Sequence, residues 1–580
     1  MRNNTSTTQA QRHKRSRRFL LSAASATMLL CLAAHPQERA SGRADQTQGN
    51  ALGRVFYGNF TSPSVRSFES RGDGPLDGMI KEGKLQLTQE DAVRLALENN
   101  VDINVERYGP DSSLWGIDKG RAVLNPAVSL SSNLNRLVTP AGSVLQGGET
   151  LLNLNTDYNL TIHKPFEPGL DVDVNFATRR ARSSSFFQSL NPSFAPTLGV
   201  TFTQHLLKDF GGITRGRFLR IARNSLNMSQ EEFVVRATDV ITNVLNTYWD
   251  LVFNEEDINV REASKKLAEV VLEQNRIQEQ VGTMAPLDVI QAEAEVAARN
   301  EQLVTARHSR RITEDGLKKL ISSRLDPGAI PASIVPTSGP AAPPAPASDV
   351  SEAIRRALEI RPEVRQSLLD LENKKIDVQY TRNQLKPMLD FVAGYSQNGL
   401  GGVRILRDYS QGFFGGPVIG IERGGFFDSL DSLFSRKFLG YSLGFSLQLP
   451  IGNDEARATN AQAQISYKQG EERLRAQRQR IALEVREAYD RMAMNRARVE
   501  SAEVTVRYAG KRLEGEQDKF NMGASTTRFI LEAQRDLQDA QSRLLQAKID
   551  LVKSRIALDK AVGDTFSAYN IELKDALRLK

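Results

Sequence analysis

Cysteine is almost absent from this 580-residue chain, and so is any apolar run long enough to form a membrane-spanning helix. Cys31 is the one cysteine, so the chain forms no internal disulfide. The longest apolar stretch runs from Phe19 to Ala34, which is shorter than the roughly 18–20 residues that a spanning helix requires. The sequence therefore predicts neither a disulfide-stapled domain nor a helical membrane protein.

The N-terminus has the pattern of a secretory signal peptide, predicted over residues 1–34 with its cleavage position left open. Six Lys and Arg residues and no acid lie in this segment, which ends in small residues. Cys31 is either an ordinary residue of the signal or a lipid attachment site, although Leu30 stands where lipid attachment favours a small residue. Removing these six cations from the 76 Lys and Arg residues leaves 70 of them against 69 Asp and Glu residues, so the net charge falls from +7 to about +1. We therefore expect no binding to nucleic acid.

The rest of the chain contains an internal duplication, with two copies of one unit. DAVRLALE (91–98) corresponds to EAIRRALE (352–359) at an offset of 261 residues, and Gly282 corresponds to Gly523 at an offset of 241. The first copy therefore has 20 additional residues. The predicted segments after the signal are an N-terminal extension (35–86), the first copy (87–325), a Pro/Ala-rich linker (326–348), the second copy (349–563) and a C-terminal tail (564–580).

Each copy opens with a short helix, marked by Thr88 in the first copy and by Asp349 and Ser351 in the second. Alternation of apolar and polar residues then predicts strands over about 126–207 and 388–449. The linker contains seven prolines between Pro327 and Pro346, so we expect it to continue neither a helix nor a central strand and to lie outside the helices.

Long helices are predicted over about 215–323 and 454–562, interrupted at the two glycines. In each copy two shorter helices together approach the length of one uninterrupted helix, so we expect them to stack end to end beside it. Heptad spacing predicts coiled-coil packing. The heptad positions are Val260, Ala263, Leu267, Val270, Gln274, Ile277 and Val281 in the first copy, and Leu537, Ala540, Leu544, Ala547, Leu551, Ser554 and Leu558 in the second.

Six segments carry a resemblance to a known family. They are LTQEDAVRLALENN (87–100), LGVTFTQHLLKDFGG (198–212), TYWDLV (247–252), VGTMAPLDVIQAEAE (281–295), LGFSLQLPIGNDEARA (443–458) and NMGASTTRFILEAQRDL (521–537). With these segments the chain resembles the TolC family of outer-membrane efflux proteins over nearly all of its mature length. Two features depart from the family pattern. His205 stands where the family has proline, and the first copy has four predicted strands instead of two, accompanied by an interrupted helical segment (106–116).

The resemblance implies a mainly α-helical fold with a β-barrel part. Strands of a homotrimer would close one barrel in the lipid of the outer membrane, and the helical hairpins would form a periplasmic tunnel. A periplasmic membrane-fusion adaptor would dock at the glycine turns, with an inner-membrane pump beyond it. The implied docking residues are Val281, Gly282, Thr283 and Met284 in the first copy, and Met522, Gly523, Ala524 and Ser525 in the second. The alternative for these glycines is a purely structural turn.

The resulting hypothesis is a passive outer-membrane duct and not an enzyme. The five histidines are scattered, without an HExxH motif or a cysteine partner, so no catalytic, metal or cofactor site is predicted. The glycine cluster from Gly412 to Gly425 lacks the frame and lysine of a phosphate-binding loop and is predicted to be a mobile extracellular loop. A periplasmic coiled-coil scaffold or adaptor and a secreted enzyme are the alternatives. The sequence does not identify the cargo.

Overall fold

The computed structural model describes residues 60, 62–65, 67, 78–142, 148–324, 326, 330, 332–339, 349–408, 410, 416–569 and 571. The predicted signal peptide with Cys31, most of the N-terminal extension, much of the linker and the end of the tail lie outside these residues. The chain divides into two units. One unit, residues 1–66 with 578–580, is described only at residues 60 and 62–65, and the other, residues 67–577, holds every element below.

The first copy, with the segment leading into it, consists of helices on either side of four long strands. Its elements are β1 (Ile80–Lys81), β2 (Lys84–Leu87), α1 (Gln89–Asn99), α2 (Val101–Ala122), β3 (Ala127–Pro140), β4 (Thr150–Pro165), β5 (Leu170–Ser183), β6 (Leu190–His205), α3 (Gly212–Arg215), α4 (Arg217–Gln280) and α5 (Pro286–Ile321).

The linker and second copy follow the same plan with shorter strands. Their elements are β7 (Ser333–Pro336), α6 (Val350–Ile360), α7 (Pro362–Gln384), β8 (Met388–Asn398), β9 (Gly401–Arg407), β10 (Val418–Glu422), α8 (Phe426–Phe434), β11 (Leu439–Gln448), α9 (Asp454–Asn521), α10 (Thr527–Val562) and α11 (Thr565–Ala568).

The short helices begin where the sequence predicts, at capping side chains. The hydroxyl of Thr88 accepts from the backbone N–H of Asp91 at 3.1 Å, and the Asp91 carboxylate accepts in return from the Thr88 backbone. At the start of α6 the cap is Asp349, whose carboxylate accepts from the N–H of Val350. These bonds satisfy first-turn N–H groups that have no partner within the helix.

Each copy forms a column in which two shorter helices lie beside one long helix. The 64-residue α4 packs against α5 and α2, which have 36 and 22 residues, and the 68-residue α9 packs against α10 and α7. The amides of Asn99 and Asn100, at the junction of α1 and α2, donate to the last carbonyls of α5, those of Ile321 and Leu320. The predicted end-to-end stacking is therefore confirmed in the first copy.

The two columns lie side by side because α4 packs against both α7 and α10. The predicted heptad positions of α10 are confirmed as inward-facing: five of them, from Ala540 to Leu558, are buried. The predicted heptad positions of α4 do not face the other helices of the same chain. Its buried residues in this part are Ser264, Ala268, Val271 and Asn275, one position away from the predicted set. A helix held between neighbours on two sides buries other faces than a two-stranded coiled coil does.

The long strands form one antiparallel sheet in the order β3-β4-β5-β6-β8-β11. The short strand β9 continues beside β6 past the end of β8, and β10 pairs with β9. The four strands predicted in the first copy are confirmed. The interruption predicted at 106–116 is wrong, because α2 passes through Pro110 as one helix packed along α4.

Two segments predicted to be irregular contain strands. Part of the predicted linker is ordered, since β7 pairs in parallel with β2 in a small sheet, where Ile330 and Ile334 are buried. Pro336 ends this strand, so its missing N–H interrupts no ladder. The glycine cluster at 412–425 is not a loop throughout, because it contains β10; residues 409 and 411–415 lie outside the described residues.

Candidate functional site: the sheet faces and the helical turns

The large sheet has one apolar face and one polar face. A row of paired residues crosses all six long strands on the apolar face: Val128, Ile162, Val174, Val200, Tyr395 and Tyr441. The neighbouring row on the other face is Ser129, Thr161, Asn175, Gly199, Ser396 and Gly440. Because side chains alternate along a strand, the period-two sequence places each set on one side. Leu130 and Tyr441 are 76% and 80% exposed, so the apolar face is uncovered within one chain.

Histidines and carboxylates lie on the polar face at the end of the sheet nearest the helices. His163 on β4 lies opposite Asp173 on β5, with its Nδ1 2.7 Å from the carboxylate. His205 on β6 lies between two carboxylates, 2.6 Å from Asp390 on β8 and 3.3 Å from Asp171 on β5. These histidines are scattered in the sequence, and only strand register brings them beside their carboxylate partners.

Arg215 joins this row to the helices. Its guanidinium donates two hydrogen bonds of 2.7 Å to the carboxylate of Asp171, and it also donates to the backbone carbonyls of Phe166 and Leu170. Among the described residues no group of three or more His, Cys, Asp and Glu side chains is placed to hold a metal ion. The Arg215–Asp171 ion pair and the contacts of His205 with Asp171 and Asp390 link strands β5, β6 and β8 to α3.

His205 uses a backbone group that proline would lack. Its N–H donates to the carbonyl of Gly169 at 3.0 Å, and the next residue, Leu206, donates to Leu389. Both bonds hold the end of β6 against its two neighbours. The departure from the family pattern at this position therefore keeps the strand paired to its last residue.

The two glycine turns have the same backbone hydrogen bonds. Gly282 and Gly523 adopt φ of 78° and 76°, a conformation that glycine takes without a Cβ clash. Thr283 N–H donates to Gln278 and Ala524 N–H to Lys519, each five residues back, which closes the helix ends in a Schellman motif.

The turn side chains are largely exposed. Val281 is 71% and Met522 75% exposed, whereas Met284 is half-buried. Thr283 donates to the carbonyl of Gln278. Ser525 donates to the carboxylate of Glu516, and hydrogen bonds from Lys519 and Ser525 lower the pKa of this carboxyl group.

Buried polar contacts bring the two turns to the same end of the columns. The amide of Asn275, seven residues before Gly282, donates to the hydroxyl of Thr527, four residues after Gly523, and both residues are buried. Val271, Ile530 and Leu531 pack together beside this bond. The predicted docking residues of the two copies are therefore neighbours in one chain.

Four of the predicted heptad positions form an exposed apolar stripe on α4. The stripe consists of Leu267, Val270, Ile277 and Val281, each more than two-fifths exposed. At the corresponding positions α9 carries Tyr508, Lys511, Asp518 and Met522. Heptad spacing revealed the stripe, but the sequence could not show that these residues face away from the helices of their own chain.

The family model for outer membrane efflux proteins matches residues 155–323 and 353–564, which is more than half of the chain. The chain belongs to the outer membrane efflux protein family. The two matched segments correspond to the two copies of the duplication. This outer membrane efflux protein has no match among curated proteins.

Solved outer-membrane channels share the fold. The Campylobacter jejuni channel CmeC is 17% identical with a TM-score of 0.58, and the match covers 94% of this chain and 98% of that one. VceC of Vibrio cholerae is 15% identical with a TM-score of 0.56, covering 82% and 96% of the two chains. The Neisseria gonorrhoeae channel MtrE, solved in an open state, is 16% identical with a TM-score of 0.55, covering 87% and 94%.

This efflux protein combines long helices with one large antiparallel sheet. Within the described part of the chain, no helix is both long enough and apolar enough to cross a membrane. Its fold and family are those of an outer-membrane efflux channel, with long helices leading away from the antiparallel sheet.

Proposed function

We propose that three copies of this efflux protein form a passive duct through the outer membrane, which receives cargo from an inner-membrane pump through a periplasmic adaptor. The two-faced sheet carries the proposal. An apolar face suits lipid, and a face of Ser, Thr, Asn and paired charges suits a water-filled lumen. A duct of this kind performs no chemistry, so the pump supplies the energy.

Closure of the sheet requires other copies. Among the described strands, β3 and β11 each pair on one side only. Unpaired backbone groups in lipid cost several kcal/mol each, so both edges need partners. The six long strands alternate in direction, hence β3 of one copy meets β11 of the next antiparallel, and three copies close a barrel of three times six strands.

Disulfide trapping tests this closure. Leu134→Cys on β3 combined with Leu443→Cys on β11 should give crosslinked dimers and trimers in outer-membrane fractions, as should Leu130→Cys with Leu447→Cys, which lies in the same antiparallel register. Cys31 lies in the predicted signal, so we expect little background from it. The single variants should stay uncrosslinked. Crosslinking by Leu134→Cys alone, or none by either pair, would contradict the proposed β3–β11 junction.

The alternative of a periplasmic scaffold makes a different prediction. It leaves the apolar face of the sheet in water, although exposed patches of this size are rare in soluble proteins. Fractionation distinguishes the two. The duct requires detergent for extraction and runs as a trimer that heat dissociates, whereas recovery in the soluble periplasmic fraction would overturn the duct.

The adaptor is proposed to bind the glycine turns together with the apolar stripe on α4. Val281 and Met522 are exposed at the turns, and the stripe extends this surface along the first hairpin. Apolar residues spaced at three and four positions form the surface that a partner helix covers in helix-to-helix recognition. The second hairpin carries Lys511 and Asp518 instead, so we expect the adaptor to contact the first hairpin more closely.

Charge substitutions test adaptor docking. The double variant Thr283→Glu with Ala524→Glu should lose adaptor crosslinking and export, while trimer yield and outer-membrane location persist. Ile277→Asp introduces into the stripe the aspartate that the second copy has at the corresponding position, Asp518. This variant should also lose adaptor crosslinking and export, and Asp518→Asn serves as the matched control. Normal crosslinking in both variants would exclude docking at this surface, and loss of the trimer would favour a purely structural turn.

A further inference from the structure

Three arginines lie on the apolar face of the large sheet, toward the end that is farthest from the helices. Arg136 on β3 and Arg182 on β5 both pair with Leu154 of β4, and Arg180 lies two residues before Arg182. Because side chains alternate along a strand, all three share the apolar face. None of the three guanidinium groups forms a hydrogen bond or ion pair with the described residues of the chain. They therefore place uncompensated positive charge on an otherwise apolar surface.

The distance of these arginines from the helices matches the height of a membrane's apolar core. Arg136, Arg180 and Arg182 lie 9, 10 and 12 residues from Ala127 and Leu170, the strand ends nearest the helices. At about 3.3 Å per residue and a strand tilt of about 40°, this is a rise of roughly 23–30 Å, and the apolar band of an outer-membrane barrel is about 25 Å tall. In the proposed barrel the arginines therefore lie at the edge of the apolar band that is farthest from the helices.

The surface between the arginines and the helices carries no charged side chain on these two strands. The residues that share the apolar face there are Val128, Leu130, Ser132 and Leu134 on β3, and Leu170, Val172, Val174, Phe176 and Thr178 on β5. Positive charge and apolar surface thus follow one another along the strands, with the charge on the side away from the helices.

The helix α8 lies on the apolar face at the same distance from the helices. The ring of Phe426 packs against the ring of Phe194, with the centroids 6.1 Å apart, and Phe194 pairs with Arg180. Gly401, which also pairs with Phe194, allows this approach, since a Cβ there would lie 2.6 Å from a backbone nitrogen of α8. Phe427 of α8 is 75% exposed. Exposed aromatic side chains commonly mark the boundary between hydrocarbon and water.

We propose that this surface binds a phosphorylated glycolipid of the outer leaflet, with its phosphate groups on Arg136, Arg180 and Arg182. Guanidinium groups bind phosphate oxygens in a bidentate manner. Arg136 and Arg182 lie two strands apart, about 10 Å, so a headgroup with two phosphates matches their spacing better than a headgroup with one. The acyl chains extend from there toward the helices, along Leu134 and Phe176. The inference rests on the proposed outer-membrane barrel but not on adaptor docking or export.

Reconstitution tests the proposal. Full-length trimers are placed in phosphatidylcholine vesicles that contain diphosphorylated lipid A, monophosphorylated lipid A or phosphatidylglycerol, and the retained lipid and the midpoint of heat dissociation are measured. The triple variant Arg136→Gln, Arg180→Gln, Arg182→Gln should bind diphosphorylated lipid A roughly hundredfold more weakly, since each cation near an anionic lipid contributes separately. Its trimers should also lose the stabilisation that this lipid confers.

Arg179→Gln is the matched control for Arg180→Gln. Arg179 adjoins Arg180 in the chain but lies on the polar face, where it donates to the carboxylate of Asp157 at 2.6 Å, so its loss should leave lipid binding unchanged. The triple variant with lysine at the three positions should bind with intermediate strength, because lysine keeps the charge but not the bidentate geometry.

Two results would overturn the proposal. One is equal retention of diphosphorylated lipid A by the wild type and the triple Gln variant. The other is equal retention of monophosphorylated lipid A or phosphatidylglycerol by the wild type. A wild type that forms no detergent-requiring trimer would refute the barrel itself, and this site with it, before any glycolipid is added.

Discussion

The helix starts of α2 and α7 correspond in the two copies, but different side chains stabilise them. Asn100 begins α2 in the first copy, and its side chain accepts from the N–H groups of Asp102 and Ile103. The corresponding residue in the second copy is Arg361, which is buried and holds Glu363 and Glu484, each at 2.5 Å. The cap has been replaced by an ion-pair cluster between the start of α7 and the long helix α9.

The Arg361 cluster predicts a pH-dependent stability. Burial alone would raise the pKa of Glu363, but the hydrogen bond and charge of Arg361 outweigh it and hold the pKa below its ordinary value. A carboxyl group with a lowered folded-state pKa contributes stability above its unfolded pKa, and this is lost as the pH falls through the folded pKa. Arg361→Met should therefore lower the free energy of unfolding by about 1–3 kcal/mol near neutral pH, and by less in acid.

Denaturant unfolding of the wild type and of Arg361→Met, measured from neutral pH into acid, checks the prediction. Arg355→Met is the control, because the Arg355–Glu352 pair is exposed and such pairs contribute little. A loss of stability that stays constant from neutral pH into acid would mean that packing, and not the charge of Arg361, is responsible.

Tyr248 offers a second test of a single buried group. Its ring is fully buried, and its hydroxyl donates to the carbonyl of Leu87 and accepts from the N–H of Ser338. Tyr248→Phe leaves that N–H without its acceptor, so we expect a loss of about 1–3 kcal/mol in the free energy of unfolding. Tyr508→Phe, on an exposed side chain, should change nothing. An unchanged denaturation midpoint in Tyr248→Phe would show that water replaces the hydroxyl.

Among the elements, matched helix lengths distinguish this chain from an ordinary coiled coil. The 36-residue α10 and the 23-residue α7 together flank α9, much as α5 and α2 flank α4. The end of α10 meets the start of α7, where a Cβ built on Gly563 would lie 3.4 Å from the side chain of Arg361. Changing the length of one helix should therefore disturb the whole column.

Deletion of one heptad, Lys265–Val271, tests this dependence. The deletion keeps the helical register of α4 but shifts every later contact with α5 and α10. We expect fewer trimers and loss of resistance to exported drugs or metals. Glu295–Glu301 is the part of α5 that faces the deleted segment, as the Lys265–Asn300 hydrogen bond shows. Deleting these seven residues as well should restore trimers but leave the first hairpin one heptad shorter. Unchanged assembly and export after the single deletion would refute the column model.

At the scale of the whole molecule, two features matter: the predicted signal peptide, and a sheet whose edge strands β3 and β11 each pair on one side only among the described strands. Cys31 lies outside the described residues. It is either an ordinary residue of the signal peptide or the attachment site of a lipid anchor. We predict that Cys31→Ser still reaches the outer membrane, as measured by fractionation and by the mass of the mature N-terminus, because folding of the sheet and not a lipid retains the protein there. Retention of an unprocessed precursor in the inner membrane would instead establish the lipid anchor.

Local patterns determined most of the architecture. The ends of α9 and α10, the four strands of the first copy and the glycine turns could all be located from sequence, because period, caps and positive-φ glycines act over a few residues. Tertiary contacts decided what local patterns leave free. The heptad positions of α4 face away from the chain's own helices because its neighbours in the chain lie on other sides, and β7 was missed because a four-residue strand depends on its partner β2. The rows of His163, His205 and their carboxylates depend on strand register, since their members lie far apart in the chain.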